Sequence, residues 1–162
     1  MIRGLQNCFT ISPSLVQPTS RGRVQLASAD WRVPPTIEPN FLGTDRDLKA
    51  TMRGAEGARE LVSQKAFDGI CEGELIPGPK AKSKEDLIQF VRMGTSSFGH
   101  PIGTARMGND ADAVVDSELR VHGVRGLRVA DASVMPSIVS GATNAASIMI
   151  GGRAAEFIKS SI

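Results

Sequence analysis

Residues 98–108 read FGHPIGTARMG, with one histidine held between a glycine and a proline and then Gly-Thr and Met-Gly at short spacing. Glycine opens left-handed backbone conformations and proline fixes its own φ, so His100 belongs to a shaped loop rather than to a helix or strand. An unperturbed imidazole titrates near neutrality. Held in such a loop, with the Thr104 hydroxyl four residues on, it can serve as a general base. A histidine among glycines is also an ordinary loop residue, and the local sequence leaves both roles open. Gly103, Thr104 and Gly108 read as residues that shape the loop. The other histidine, His122, stands in LRVHGV before a glycine turn and reads as a partly exposed residue at a strand end.

Upstream of this loop, SKEDLIQFVRMG carries Leu87, Ile88 and Val91 at helical spacing behind Ser83 and Asp86, an N-terminal cap, and the helix ends near Gly94. Before it, TDRDLKATMRGAEGARELVSQKAF places Leu48, Met52, Ala55, Arg59 and Val62 on one helical face behind Thr44 and Asp47. Gly54 and Gly57 loosen that helix. GELIPGPK joins the two as a turn-rich linker. Nearer the N-terminus, Val24 and Leu26 alternate in a strand at about 22–27, and Pro34, Pro35 and Pro39 mark an irregular connection after it.

Downstream, VVDSELRVHGVRGLRVADASVMP reads as two short strands around the turn from His122 to Gly126, with Leu127 to Ala130 a buried strand. SGATNAASIMIGGRAAEFIKSSI reads as a closing helix with Ile148, Ala155 and Ile158 on one face and Thr143 or Ser140 as cap. Strands, then helices, then strand and helix again indicate an α+β fold. No internal repeat or low-complexity tract interrupts it.

Composition sets the outer bounds. The chain has 162 residues, enough for one domain or part of a larger one, with 41 % apolar and 22 % charged residues, near the averages for globular chains. Nineteen basic and 17 acidic residues give a net charge of +2 with no like-charge run, which argues against nucleic acid as a partner. Cys8 and Cys71 stand alone, outside any zinc-type spacing or disulfide framework, and read as reduced thiols of a cytoplasmic protein. No apolar stretch is long enough for a signal peptide or a membrane span. Neither GxGxxG nor GxxxxGK[ST] occurs, so a complete dinucleotide phosphate site is not expected from this sequence.

HPIGTARMG followed by AVVDSELRVHGVRGLRVADASVMPSIVSGATNAASIMIGGRAAEFI resembles the C-terminal region of the glucose-methanol-choline (GMC) oxidoreductases, FAD-dependent alcohol oxidases and dehydrogenases. RGRVQLASAD, PPTIEPNFL, the helix from Thr44 and ELIPGP resemble the same region in the same order, with a choline dehydrogenase-like flavour. The resemblance implies a substrate-domain sheet with helices, plus the closing strand and helix of an FAD-binding Rossmann-like domain. It divides the chain into an N-terminal strand or linker over 1–17, a GMC oxidoreductase C-terminal domain over 18–158 and a tail over 159–162.

For the residues, the resemblance implies that His100 accepts the hydroxyl proton of an alcohol while hydride passes from its carbon to flavin N5. Asp131 and Ala132, in VADAS, fall where the family touches the flavin, and so do Asn144 and Ala145 at the start of the last helix. Asn144 reads equally as a helix cap, and Asp131 as a residue that closes a turn. The family's second catalytic side chain, His or Asn, is replaced by Ala142, which cannot hydrogen-bond through its side chain. Gly151 and Gly152 stand where relatives carry Ala-Glu and are expected to weaken the last helix. FAD, a small-molecule alcohol and an FAD-binding half encoded elsewhere are the implied partners. The alternative is a truncated, non-catalytic remnant or interaction module.

Overall fold

The computed structural model describes residues 7–79 and 81–161. The first six residues of the expected N-terminal linker and the last residue of the tail therefore lie outside the described residues. The ordered elements are β1 (Arg23–Gln25), β2 (Thr36–Glu38), α1 (Asp45–Val62), a 3₁₀ turn at Lys65–Phe67, α2 (Lys84–Gly94), a second 3₁₀ turn at Ala132–Val134, and α3 (Asn144–Lys159). They are distributed over two compact units. One comprises the chain up to Leu15 together with Leu42–Thr95; the other comprises Val16–Phe41 and the chain from Ser96 onward.

The first unit is built on two packed helices, and both begin where the capping residues require. The Thr44 hydroxyl accepts a hydrogen bond from the Asp47 N–H at 3.3 Å. Ser83 and Asp86 form a full capping box, with Ser83 Oγ accepting from Asp86 N–H (3.0 Å) and the Asp86 carboxylate accepting from Ser83 N–H (3.1 Å). Leu42, Met52, Leu87 and Val91 are buried between the helices, flanked by Leu48, Ala55, Ile88 and Phe90. Arg59 lies on the expected stripe but not in this core. Its guanidinium grips the Glu74 carboxylate through two 2.9 Å bonds and donates to Ala81 O at 3.0 Å. A forked ion pair keeps such a charge at the surface while its stem covers apolar atoms.

In the second unit β1 and β2 form an antiparallel ribbon in which Val24 faces Ile37 and Arg23 faces Glu38 across an ion pair. The strand covers less than the expected 22–27. The connection read as irregular contains its partner instead: Pro34–Pro35 and Pro39 bracket the three residues of β2, where no proline removes a ladder N–H. Gly22 fits because a Cβ there would fall 2.1 Å from Glu38 O.

The main core of this unit gathers Val115, Leu119, Val134, Met135, Ile150 and Ala154. Two expectations are corrected around it. The strands around His122 reduce to single bridges, Val115 with Val121 and Arg120 with Arg128. Leu127, at the head of the expected buried strand, is 49 % exposed. Gly123 and Gly126, at φ of 76° and 75°, turn the chain between the two arms, which are tied by Val121 N–H to Leu127 O (3.0 Å) and Val129 N–H to Leu119 O (3.1 Å) about the Arg120–Arg128 bridge. In α3 the buried face carries Ile150 and Ala154, with Ala146 and Phe157 beside them, while Ile148 is 69 % and Ile158 46 % exposed. The face of Ile148, Ala155 and Ile158 is thus not the one the core covers, because α3 carries large apolar residues on both sides. The helix continues unbroken through Gly151 and Gly152.

Candidate active site

The FGHPIGTARMG segment is a loop, and the core residues on either side of it fix its path. Gly99 and Gly103 take φ of 81° and 84°, and at Gly103 a Cβ would also press on Met135 O at 3.4 Å. Beyond Gly103 the loop is stitched to the second 3₁₀ turn by Ala105 N–H to Ser133 O (3.0 Å) and Met107 N–H to Val134 O (2.8 Å). Val134 is fully buried, and Ile102 and Met107 pack against the same core, so both ends of the stitched stretch are anchored by apolar contact.

His100 is half-buried, and its Nδ1 lies 3.1 Å from the hydroxyl of Thr143. Nε2 meets no partner among the described residues. The hydroxyl that meets the imidazole is thus not Thr104, which is exposed in a turn, but a residue 43 positions away. Thr143 is the N-cap residue of α3 by position and is 7 % exposed, yet its side chain makes no capping bond to its own helix. Sequence reasoning placed Thr143 at the helix start and missed its contact with His100. The absent Glu or Gln of a capping box, whose place three residues on is taken by Ala146, was the only local hint.

The remaining expected positions fall as follows. Ala142 is exposed immediately before Thr143. Asn144 and Ala145 are exposed in the first turn of α3. With no side chain from Thr143 capping them, the first N–H groups of that helix face outward with the positive end of its dipole. Asp131 caps the second 3₁₀ turn, accepting from Ser133 N–H at 2.7 Å. Hydrogen bonds from Ser133, side chain first and backbone second, hold its carboxyl below the usual carboxylate range. Ala132 is half-buried against the core, as is Ala146 of α3, so the 3₁₀ turn and the helix start are anchored to one cluster. No hydrogen bond joins Asp131 to His100.

His122 lies in the turn, as expected, next to the bridge residue Val121. It is exposed, and its Nε2–H donates to Gly108 O at 3.1 Å, fastening the far end of the loop. Arg106 braces the same end through two bonds to Asp110, one of them 2.9 Å long. Gly108 lies beneath that pair, where a Cβ would approach the Arg106 guanidinium at 3.1 Å and Ala113 at 3.2 Å. A cleft of about 570 Å³ opens nearby among Arg120, His122, Arg125, Arg128 and Ser161, and His100 does not line it. Cys8 and Cys71 are free thiols. Among the described residues no cluster of metal-ligating side chains occurs, and no helix is long and apolar enough to cross a membrane.

Comparison with known proteins places this geometry in a family. Residues 18–151 match the family model described as GMC oxidoreductase. The chain is 40 % identical over 150 residues to an alcohol dehydrogenase [acceptor] of Pseudomonas putida, covering 93 % of this chain and 27 % of that protein. It is 41 % identical over 160 residues to the choline oxidase of Arthrobacter globiformis, covering 96 % of this chain and 29 % of that one. The formate oxidase of Aspergillus oryzae, in a structure concerned with modification of its FAD, superposes with a TM-score of 0.84 at 35 % identity, over 91 % of this chain and 26 % of that chain. The chain therefore spans between a quarter and a third of the length of these relatives.

Proposed function

The chain belongs to the GMC oxidoreductase family, as part of its C-terminal region, and from that premise we propose that it forms the proton-accepting wall of an FAD-dependent oxidoreductase acting on the CH–OH group of a small alcohol. The observation that carries this reading is the His100–Thr143 contact. With Nδ1 engaged, the ring is held in one orientation and Nε2 is left to meet a hydroxyl. A neutral imidazole within about 2.6–3.2 Å of the alcohol takes its proton as the C–H bond breaks. FAD, when bound, supplies the acceptor for the hydride that leaves the same carbon.

The start of α3 fits such a ligand. Its first N–H groups have no side-chain cap from Thr143, and Asn144 and Ala145 are exposed beside them, so donors and dipole are available to an electron-rich edge. Asp131 and Ala132 would form the adjoining edge. In this reading 18–158 is the functional module, preceded by a linker over 1–17 and followed by a tail over 159–162. The run from Leu127 to Ala130 and the helix α3 are the closing strand and helix of a Rossmann-like FAD domain, whose remaining strands come from another segment. The second contact to the alcohol oxygen, lost at Ala142, is not replaced by a side chain at that position.

The test is turnover. The chain is supplied with FAD and an FAD-binding half from a relative, and oxidation of choline and simple primary alcohols is followed with an artificial electron acceptor. Flavin absorbance retained on the complex, with turnover that falls about 10²–10⁴-fold in His100→Ala, supports the reading. Flavin retained but no loss of turnover in that variant removes His100 from the chemistry. A complex that neither holds flavin nor turns over leaves the non-catalytic module as the better description.

A further inference from the structure

We propose that Thr143 is a positioning residue that sets the tautomer of His100: its oxygen accepts from Nδ1–H, leaving Nε2 unprotonated and facing outward as the base. This rests on the reading of His100 as the proton acceptor. Three observations support the assignment. The contact is 3.1 Å between a half-buried ring and a side chain that is 7 % exposed, so solvent competes little for it. Thr143 takes helical backbone angles (φ −78°, ψ −6°) at the head of α3, which do not aim its hydroxyl at the helix N–H groups, and none of them uses it, so its lone pairs are free for the ring. The backbone that carries Thr143 is fixed in turn: Thr143 O receives both Ser147 N–H and Ser147 Oγ–H, each at 2.9 Å.

The choice of tautomer decides whether the site works. A neutral imidazole has one donor nitrogen and one acceptor nitrogen, and the partner of the first fixes the role of the second. If Thr143 donated to Nδ1, Nε2 would carry the proton and could not take another from an alcohol without a prior transfer. The second histidine provides the opposite case within the same chain. His122 meets a carbonyl oxygen, which can only accept, so its proton is on Nε2. The two histidines of this chain are therefore expected in opposite tautomers.

Nitrogen-15 NMR of the labelled chain, at a pH where both rings are neutral, reads this directly without flavin or substrate. The expected spectrum shows His100 protonated at Nδ1 and His122 protonated at Nε2, the two assigned by His122→Gln. Thr143→Ser keeps the His100 pattern. Thr143→Val moves the tautomer ratio toward Nε2–H on the order of fivefold, the worth of one net hydrogen bond, while an unchanged, dispersed backbone amide spectrum reports that the unit is still folded. A wild-type His100 protonated at Nε2 overturns the proposal, and this reading needs no variant to fold. So does a Thr143→Val ratio equal to wild type with the amide spectrum intact. Wrong tautomer with His100-dependent turnover refutes the role of Thr143 alone. The expected tautomer with turnover indifferent to His100 refutes the catalytic reading alone.

Discussion

At the scale of single residues, the loop that carries His100 is held mostly by groups that are not themselves reactive. Arg106 and Asp110 illustrate this. The guanidinium, by hydrogen bonding, and then the Asp112 N–H hold the Asp110 carboxyl down at about 2, from an ordinary value of 3.8. The folded value lies below the unfolded one, so the carboxylate's contribution to stability is complete above 3.8 and disappears as the pH falls toward about 2. The pair is open to solvent, so the effect is small and is reduced further by salt. Asp110→Asn should therefore flatten the loss of stability between those two values in low salt, measured by urea unfolding at a series of pH values. Equal acid sensitivity in variant and wild type would show that the pair contributes nothing. None of this was legible in TARMGNDAD, because an Arg and an Asp four apart in a loop meet only if the turn between them closes. Thr143 was hidden for a similar reason: its partner is 43 residues away, and at a helix start a threonine already has a local explanation.

At the scale of elements, what could be read from the sequence divides by how local the cause is. The starts of both helices of the first unit, and the end of α2, were legible to within a residue, since Thr44 and Ser83 fix the starts and Leu48, Met52, Leu87 and Val91 repeat at helical spacing. The strands were not, since a three-residue ribbon between prolines leaves too few residues to alternate, and bridges such as Arg120 with Arg128 depend on pairing across a turn. The glycines of α1 show the same limit. Gly54 and Gly57 look alike in sequence, and both were expected to loosen the helix. Yet a Cβ on Gly54 would fall 2.8 Å from Pro13 Cβ, whereas one on Gly57 would meet nothing within 4 Å. Gly57→Ala should raise stability by about 1 kcal/mol, the usual gain of alanine over glycine in a helix interior. Gly54→Ala should gain less or lose, because Pro13 must shift. Urea unfolding of the two single variants checks this, and equal gains would mean that the Pro13 contact does not constrain α1.

At the scale of the whole molecule, the surface is that of a part rather than of a self-contained domain. α3 turns Ile150 and Ala154 inward but leaves Ile148 at 69 % and Met149 at 57 % exposure, and a helix apolar on both sides is stable when both are covered. The β1–β2 ribbon adds Leu26 and Trp31, 88 % and 89 % exposed, with Val24 and Ile37 also open to solvent. Compact monomers keep contiguous apolar patches to a few hundred Å², and a chain spanning 27 % and 29 % of two of its relatives has less of its own surface with which to cover them. The isolated chain should therefore bind a hydrophobic dye such as ANS while keeping cooperative unfolding, unlike a molten globule, in which dye binding accompanies loss of fixed packing. Replacing Ile148 and Met149 together by lysine should lower dye binding with little change in stability, since neither side chain contributes to the core and surface changes are usually worth within about 0.5 kcal/mol. An unchanged dye signal would assign the binding to the ribbon instead, to be checked with Leu26→Lys and Trp31→Lys. No dye binding by the wild-type chain would mean that these apolar groups are covered in solution, by self-association that sedimentation velocity would reveal as a concentration-dependent increase in mass.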